Sequence, residues 1–224
     1  MEWNFLAVMR DFDLLMLGLV NTLKITGLAL FFGIPIGLML ALSRLSTWRI
    51  PSGIAAFIIE IFRTTPPLVQ LFWFFFALPI LVDIRMTPTI AAVVTFSIQS
   101  SAFFAEIFRG GILSIDKGQW EGAKAIGMTY PQSLRRIILP QAIKRMIPAF
   151  MERSIELLKT TTLVSTVAYA DLMFQANEVA QKTFRPLEVY TIVALIYFVL
   201  IFSVSQLSIV IERHLAKSGE GTVH

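Results

Sequence analysis

Residues 118–145 read GQWEGAKAIGMTYPQSLRRIILPQAIKR, a polar and patterned island in a chain otherwise built from apolar runs. Glu121 to Ile126 favours a helix, and Gly127 stands where a C′ glycine stops one. Tyr130-Pro131 restarts the helix, with Thr129 as N-cap and Pro131 in the first turn. Leu134, Ile137 and Ile138 give this second helix one apolar side, and Pro140 ends or kinks it. The expected product is two short helices around a tight turn, exposed on one face of a membrane. Such a knob is shaped for a groove on another protein. An ordinary interfacial helical hairpin is the plainer alternative.

The membrane is implied by what surrounds the island. Hydrophobic residues make up 56% of the 224 residues and charged residues only 15%, against roughly 25% charged in a soluble protein. Mean hydropathy is +0.72, too apolar for a wetted globule of this size. Four uncharged stretches have membrane-spanning length, roughly 17–25 residues each: 25–42, 66–82, 87–105 and 189–211. Glu2, Asp11 and Asp13 replace the basic start of a cleaved signal peptide, so the first apolar run is expected to stay as a helix. Gly27, Gly33 and Gly37 on it form a small-residue seam for close helix packing. There is no Cys, and the two His residues are His214 and His224. Disulfides, thiolate zinc sites, Cys nucleophiles and most His chemistry are excluded.

A fifth span is expected over 146–170. It carries Glu152, Arg153, Glu156 and Lys159, but these recur at helical spacing on one face, with Phe150, Met151, Ile155, Leu157 and Leu158 on others. Such a helix can sit inside a bundle with its charged face away from lipid. A surface amphipathic helix is the other reading. Five spans place Arg44, Arg49, Arg63, Arg109, Lys117, Lys124, Arg135, Arg136, Lys144, Arg145, Arg213 and Lys217 on one side, twelve in all. Arg10, Arg85, Lys182 and Arg185 fall on the other. By the positive-inside rule the N-terminus is outside and the C-terminus cytoplasmic. The net charge of +4 then belongs to cytoplasmic loops facing lipid headgroups rather than to nucleic acid.

The island resembles a known motif. Glu121-Gly122-Ala123-x3-Gly127-x9-Ile137-x-Leu139-Pro140 is similar to the EAA motif of ABC-transporter permeases, with Gly122 where Ala is usual. Phe62-Arg63-Thr64-Thr65-Pro66-Pro67-Leu68-Val69-Gln70, the segment from Ala102 to Gly111, Lys159-Thr160-Thr161-Thr162-Leu163 and Thr183-Phe184-Arg185-Pro186 resemble further segments of the polar amino acid uptake permeases, the histidine/glutamine type. The resemblance covers nearly the whole chain. It implies an all-α membrane protein with five transmembrane helices, the type I ABC importer permease fold, as a single permease domain over 1–224. The coupling-helix loop would occupy about 110–145 and a frayed tail about 218–224. It further implies a second permease subunit, identical or homologous, two ATP-binding subunits inside, a substrate-binding protein outside, and lipid around. The location would be the bacterial inner membrane. The chain has no G-x-x-x-x-G-K-[ST] loop, so ATP and Mg belong to the partner ATPase and no cofactor is expected here.

On this resemblance the motion is alternating access, driven through the docked loops. Glu121, Gly122, Ala123, Gly127, Tyr130, Leu134, Leu139 and Pro140 carry the coupling to the ATPase; Glu121 braces the loop, while Tyr130 and Leu134 touch the ATPase groove. The path for a zwitterion needs polar partners in an apolar bundle. Gln99 and Ser100 on the third span, and Arg153, Glu156 and Thr160 on the fourth, can supply them. Interhelical hydrogen bonding explains the first pair equally well. Internal i,i+3 pairing, Arg153–Glu156 and Glu156–Lys159, is the structural alternative for the second group. Glu106 is expected to pair with Arg109. Where relatives often carry Asp and Glu or Gln, this chain has Thr160 and Arg153, which disfavours a cationic cargo. A stand-alone channel or secondary transporter would need no ATPase, but would leave the EAA-like loop unexplained.

Overall fold

The computed structural model describes residues 3–217; the tail expected to fray from 218 lies outside the described residues. Every regular element among them is helical. A short α1 (Phe5–Met9) leads into α2 (Phe12–Arg44), which runs without a break through Pro35. α3 (Arg49–Thr64) follows, then α4 (Pro67–Phe72), a π-turn at Trp73–Ala77 and α5 (Leu78–Val82). α6 (Pro88–Leu113) is central, and α7 (Lys117–Ala125) is short. α8 (Tyr130–Ser133), a second π-turn at Leu134–Ile138 and α9 (Leu139–Thr160) form one continuous helical rod. A 3-10 turn (Thr161–Val167), α10 (Leu172–Thr183) and α11 (Pro186–Lys217) complete the chain.

Three helices are long and apolar enough to cross a membrane, within Phe12–Arg44, Pro88–Leu113 and Pro186–Ile211. Arg49–Thr64 and Pro67–Val82 pass that test together, but bend by 106° at the Pro66-Pro67 break. The sequence predicts 66–82 as an independent span; the structure joins it to α3, a helix whose charges sit on one face while Ala55 and Ile59 are buried. The break itself is held by a side chain: Gln70 Nε2 donates to the carbonyls of Phe62 and Thr65, at 3.0 and 2.9 Å, and the first of these is the oxygen that Pro66 leaves without its helical donor.

The expected crossing over 146–170 is helical only to Thr160, then tightens to 3-10 and ends at Ala168 with φ +57°. α9 begins earlier than expected. Pro140 neither ends nor sharply interrupts the rod, and the second knob helix is not short. The π-turn before it gives the physical reason: the Leu139 N–H reaches back five residues to Leu134, so the ladder is already offset where proline lacks its donor. The same device, a π-turn followed by Leu-Pro, precedes Pro79.

Packing follows the small residues. A Cβ on Gly37 would lie 2.8 Å from the Phe104 Cβ and from the Ser101 carbonyl, and one on Gly33 would lie 3.1 Å from the Ser100 Cβ. α2 and α6 therefore touch backbone to backbone. Gly27 has nothing near it and is not part of the seam; Gly18 takes that role against the Asp171 carbonyl. Apolar clusters stack along the bundle: Val8, Leu15, Leu172 and Val189 at one end, Ile25, Phe96, Leu157 and Val164 in the middle, Ile115, Ile138 and Met146 at the other. The outer surface is apolar as well, with Phe31, Met39, Ile80 and Phe198 exposed, as hydrocarbon surroundings require.

Candidate functional site

The knob is built by backbone chemistry. α7 ends in a Schellman motif: the Gly127 N–H donates to Lys124 O and the Met128 N–H to Ala123 O, both at 3.0 Å, with Gly127 at φ +78°. Only a residue without a Cβ takes that conformation freely. Thr129 N-caps the next helix, its N–H donating to Gln132 Oε1 at 2.9 Å. Trp120 stacks on Tyr130 across the turn, centroids 5.5 Å apart. Gln141 Nε2 donates to Gln119 Oε1 at 3.2 Å, and Arg145 donates to the Ser114 carbonyl and pairs with Asp116. These contacts fix α7 against the start of α9.

Of the predicted knob residues, Ala123 is buried beneath the turn, and Leu134 and Leu139 are half-buried. Glu121, Gly122, Gly127, Tyr130 and Pro140 are exposed. Ile126, 71% exposed, joins Tyr130 at the tip. Glu121 does not brace the loop: among the described residues no hydrogen bond or ion pair holds its carboxylate. Trp120 was missed; its signal was an aromatic ten residues before Tyr130, on the far side of a helix stop.

The second group lies along the same rod. Arg153 is 5% exposed, and its Nη1 donates to Glu156 Oε2 at 2.7 Å. Its Cζ lies 3.6 Å from the centroid of Phe103 on α6, and the Arg63 Cζ approaches the same ring at 5.6 Å. Arg153 Nε and Nη2, Gln99 Oε1 and Ser100 Oγ are buried without partners among the described residues. The interhelical bonds considered for Gln99 and Ser100 are thus not made by these oxygens. The Glu156–Lys159 pair does not form among the described residues, whereas Arg153–Glu156 does. Thr160 turns its hydroxyl back to the Glu156 carbonyl at 2.8 Å, which takes its donor out of the path. Glu106 pairs with Arg109 at 2.6 Å as expected. Phe103 and Arg63 were not singled out from sequence; only the meeting of α3, α6 and α9 reveals them.

At the opposite end, Asp171 N-caps α10, its Oδ1 accepting the Phe174 N–H at 2.9 Å while Oδ2 is buried without a partner. Burial pushes its carboxyl up to about 6, against the lowering effect of nearby backbone N–H groups. Thr22 and Asn21 of α2 hold the same turn, through the Leu172 N–H at 3.1 Å and the Ala170 carbonyl at 2.8 Å.

A helical membrane bundle with an exposed helix–glycine–helix knob on a rod that reaches a buried polar cluster has the architecture of a transport permease. The family of inner membrane components of binding-protein-dependent transport systems matches residues 33–217, and the chain belongs to that family. It is 36% identical over 215 residues to the arginine transport system permease protein ArtQ of Bacillus subtilis, covering 96% of this chain and 98% of that one. It is also 36% identical to the glutamine transport system permease protein GlnP of Escherichia coli K12, covering 96% and 99%. With the glutamate/aspartate import permease protein GltK of Escherichia coli O6:H1 the identity is 35%, over 96% and 99%. The crystal structure of an amino acid ABC transporter with histidines superposes with a TM-score of 0.91 at 38% identity, covering 96% of this chain and all of that one. The MetNI methionine ABC transporter shares the fold, with a TM-score of 0.72 at 22% identity. The fold is that of the type I importer permeases.

Proposed function

We propose that this chain is the permease subunit of an ATP-driven importer that carries a polar amino acid or related small zwitterion by alternating access. One observation carries the reading. The exposed knob leads through its Gly127 turn into a single rod, from Tyr130 through the π-turn to Thr160, which carries the buried Arg153. A push on the knob is therefore delivered to the polar cluster with little loss, as rigid-body rocking requires. Ile126, Tyr130, Glu121, Gly122, Gly127 and Pro140 form the surface that docks to a separate ATPase, which holds ATP and Mg, with half-buried Leu134 and Leu139 and buried Ala123 supporting it from beneath. The path lies beside Gln99, Ser100, Arg153, Glu156 and Thr160. Relatives named for transport of arginine, glutamine and glutamate/aspartate support an amino acid.

The assembly proposed has two permease subunits, two ATPases and an external binding protein. The membrane crossing proposed for α9 makes five spans, with the N-terminus outside and the C-terminus cytoplasmic. The whole chain acts as one domain. The test is reconstitution: proteoliposomes holding the permease, its ATPase and its binding protein are loaded with ATP and given labelled amino acids. Accumulation that needs ATP and the binding protein supports the reading. Accumulation that persists without the ATPase would replace it with a channel or secondary transporter.

A further inference from the structure

Arg153 offers more than a charge. Its guanidinium is planar and carries five N–H donors in a fixed fork. Nη1 is committed to Glu156. The two nitrogens without partners, Nε and Nη2, share one edge of the group and are both buried. On that edge the N–H bonds run parallel, the arrangement that receives both oxygens of one carboxylate. The Phe103 ring lies against the flat face at 3.6 Å and fixes the plane of the fork. Burying a charged donor edge without a partner is costly, and an apolar residue of similar volume would avoid that cost. Gln99, one turn before Phe103, adds a buried oxygen that also lacks a partner among the described residues. Arg63 brings a second guanidinium to the same ring.

Resting on the importer reading above, we infer that the Nε–Nη2 edge of Arg153 is a carboxylate subsite for cargo in transit, with Phe103 as its platform. The cargo class is an amino acid with a neutral or acidic side chain. A cationic side chain would enter beside two guanidinium groups and be repelled. Gln99, one turn before Phe103 on the same face of α6, completes the subsite by accepting from an ammonium or amide of the same molecule. The carboxylate is either the main-chain group common to all amino acids or the side-chain group of an acidic one.

The test measures direct binding to the permease–ATPase complex in lipid nanodiscs. The probes are L-glutamate, L-glutamine, L-arginine, 4-aminobutyrate, which lacks the main-chain carboxylate, and 4-aminobutanamide, which lacks both carboxylates. Arg153→Lys keeps the charge and loses the fork. It should weaken the carboxylate-bearing probes about tenfold or more, the range for a charged hydrogen bond. If glutamine is weakened and 4-aminobutyrate is not, the main-chain group sits on the fork. If glutamate and 4-aminobutyrate are weakened and glutamine is not, the side-chain group does. Phe103→Leu, which leaves the fork without its platform, should weaken the same probes several-fold. Equal weakening of 4-aminobutanamide, no weakening at all, or a wild type that prefers arginine over glutamine and glutamate overturns the subsite. A variant complex that has lost its second permease subunit overturns it too, by giving the edge to a subunit contact. If amino acids are still taken up with ATP in those cases, the subsite alone has failed. A wild-type complex that neither binds nor moves any amino acid ends both readings.

Discussion

The rings of Trp120 and Tyr130 stack at 5.5 Å with their planes 17° apart, one on each side of the Gly127 turn. The stack and the Schellman bonds together hold the knob in one shape. Its lever arm starts at Tyr130, so an error of angle at Gly127 is carried along the whole rod.

Replacement of Gly127 tests this directly. Nothing lies within 4 Å of a Cβ added there, so the cost comes from the backbone: a left-handed φ of +78° penalises an L side chain by about 1 kcal/mol or more. Gly127→Trp should leave membrane insertion intact and either lose the ATPase on co-purification or hydrolyse ATP without uptake. Gly127→Asn, which tolerates left-handed backbone, should recover most of the coupling. Glu121→Lys, at an exposed carboxylate with no partner among the described residues, should disrupt docking without changing thermal stability. Normal uptake and normal co-purification in Gly127→Trp and Glu121→Lys would sink the assignment of the knob.

The helix seam gives a second test. At Gly37 an added methyl meets the Phe104 side chain and the Ser101 carbonyl at 2.8 Å. Neither can retreat, because α2 and α6 meet backbone to backbone. Overpacking of this kind costs roughly 1–3 kcal/mol. Gly37→Ala should lower the melting temperature of the purified subunit, while Gly27→Ala, which meets nothing, should hold or raise it by relieving a helical glycine. Equal effects at the two positions would refute the seam.

Much of this architecture was legible because hydropathy and turn chemistry are local. The Gly127 stop and the Thr129 restart were each readable from a few neighbouring residues, as were the apolar cores of α2, α6 and α11. What was missed depends on distant partners. α3 looks like a charged loop until Ile59 finds Ala41 of α2 and Ala105 of α6. Gln70 is one polar residue in an apolar run until Pro66-Pro67 exposes the carbonyls it caps. Phe103 has no distinguishing neighbour in sequence, since both guanidinium groups reach it from other helices. Pro140 misled for a related reason: its local signal is a break, but the π-turn one step earlier absorbs it.

Topology can be read without background, because the chain has no native cysteine. The twelve-to-four distribution of Lys and Arg predicts a cytoplasmic C-terminus. A cysteine substituted for Thr222 should resist a membrane-impermeant thiol reagent in intact cells and react after permeabilisation. A cysteine substituted for Asn4 should react in intact cells once the reagent has crossed any outer membrane. Labelling of the first from outside would overturn the orientation and, with it, the cytoplasmic placement of the knob.

The turn between the 3-10 segment and α10 should make stability depend on pH. Asp171 is fully buried, and burial raises its carboxyl from 3.8 to about 6. The folded state thus holds this proton more tightly than the unfolded chain does. Its contribution is complete below about pH 4 and is lost as pH rises through 6. Between pH 7 and pH 5 the folded state should gain on the order of 1 kcal/mol from this one group. Asp171→Asn keeps an oxygen to accept the Phe174 N–H and so retains the cap, but it cannot titrate. The variant should match the wild type near pH 5 and equal or exceed it at pH 7, where the wild type carries a buried charge. Thermal unfolding in one detergent at the two pH values measures the difference. Parallel pH dependence in wild type and variant would mean that the Asp171 carboxylate is already compensated at neutral pH, and that the turn is held by Thr22 and Asn21 alone.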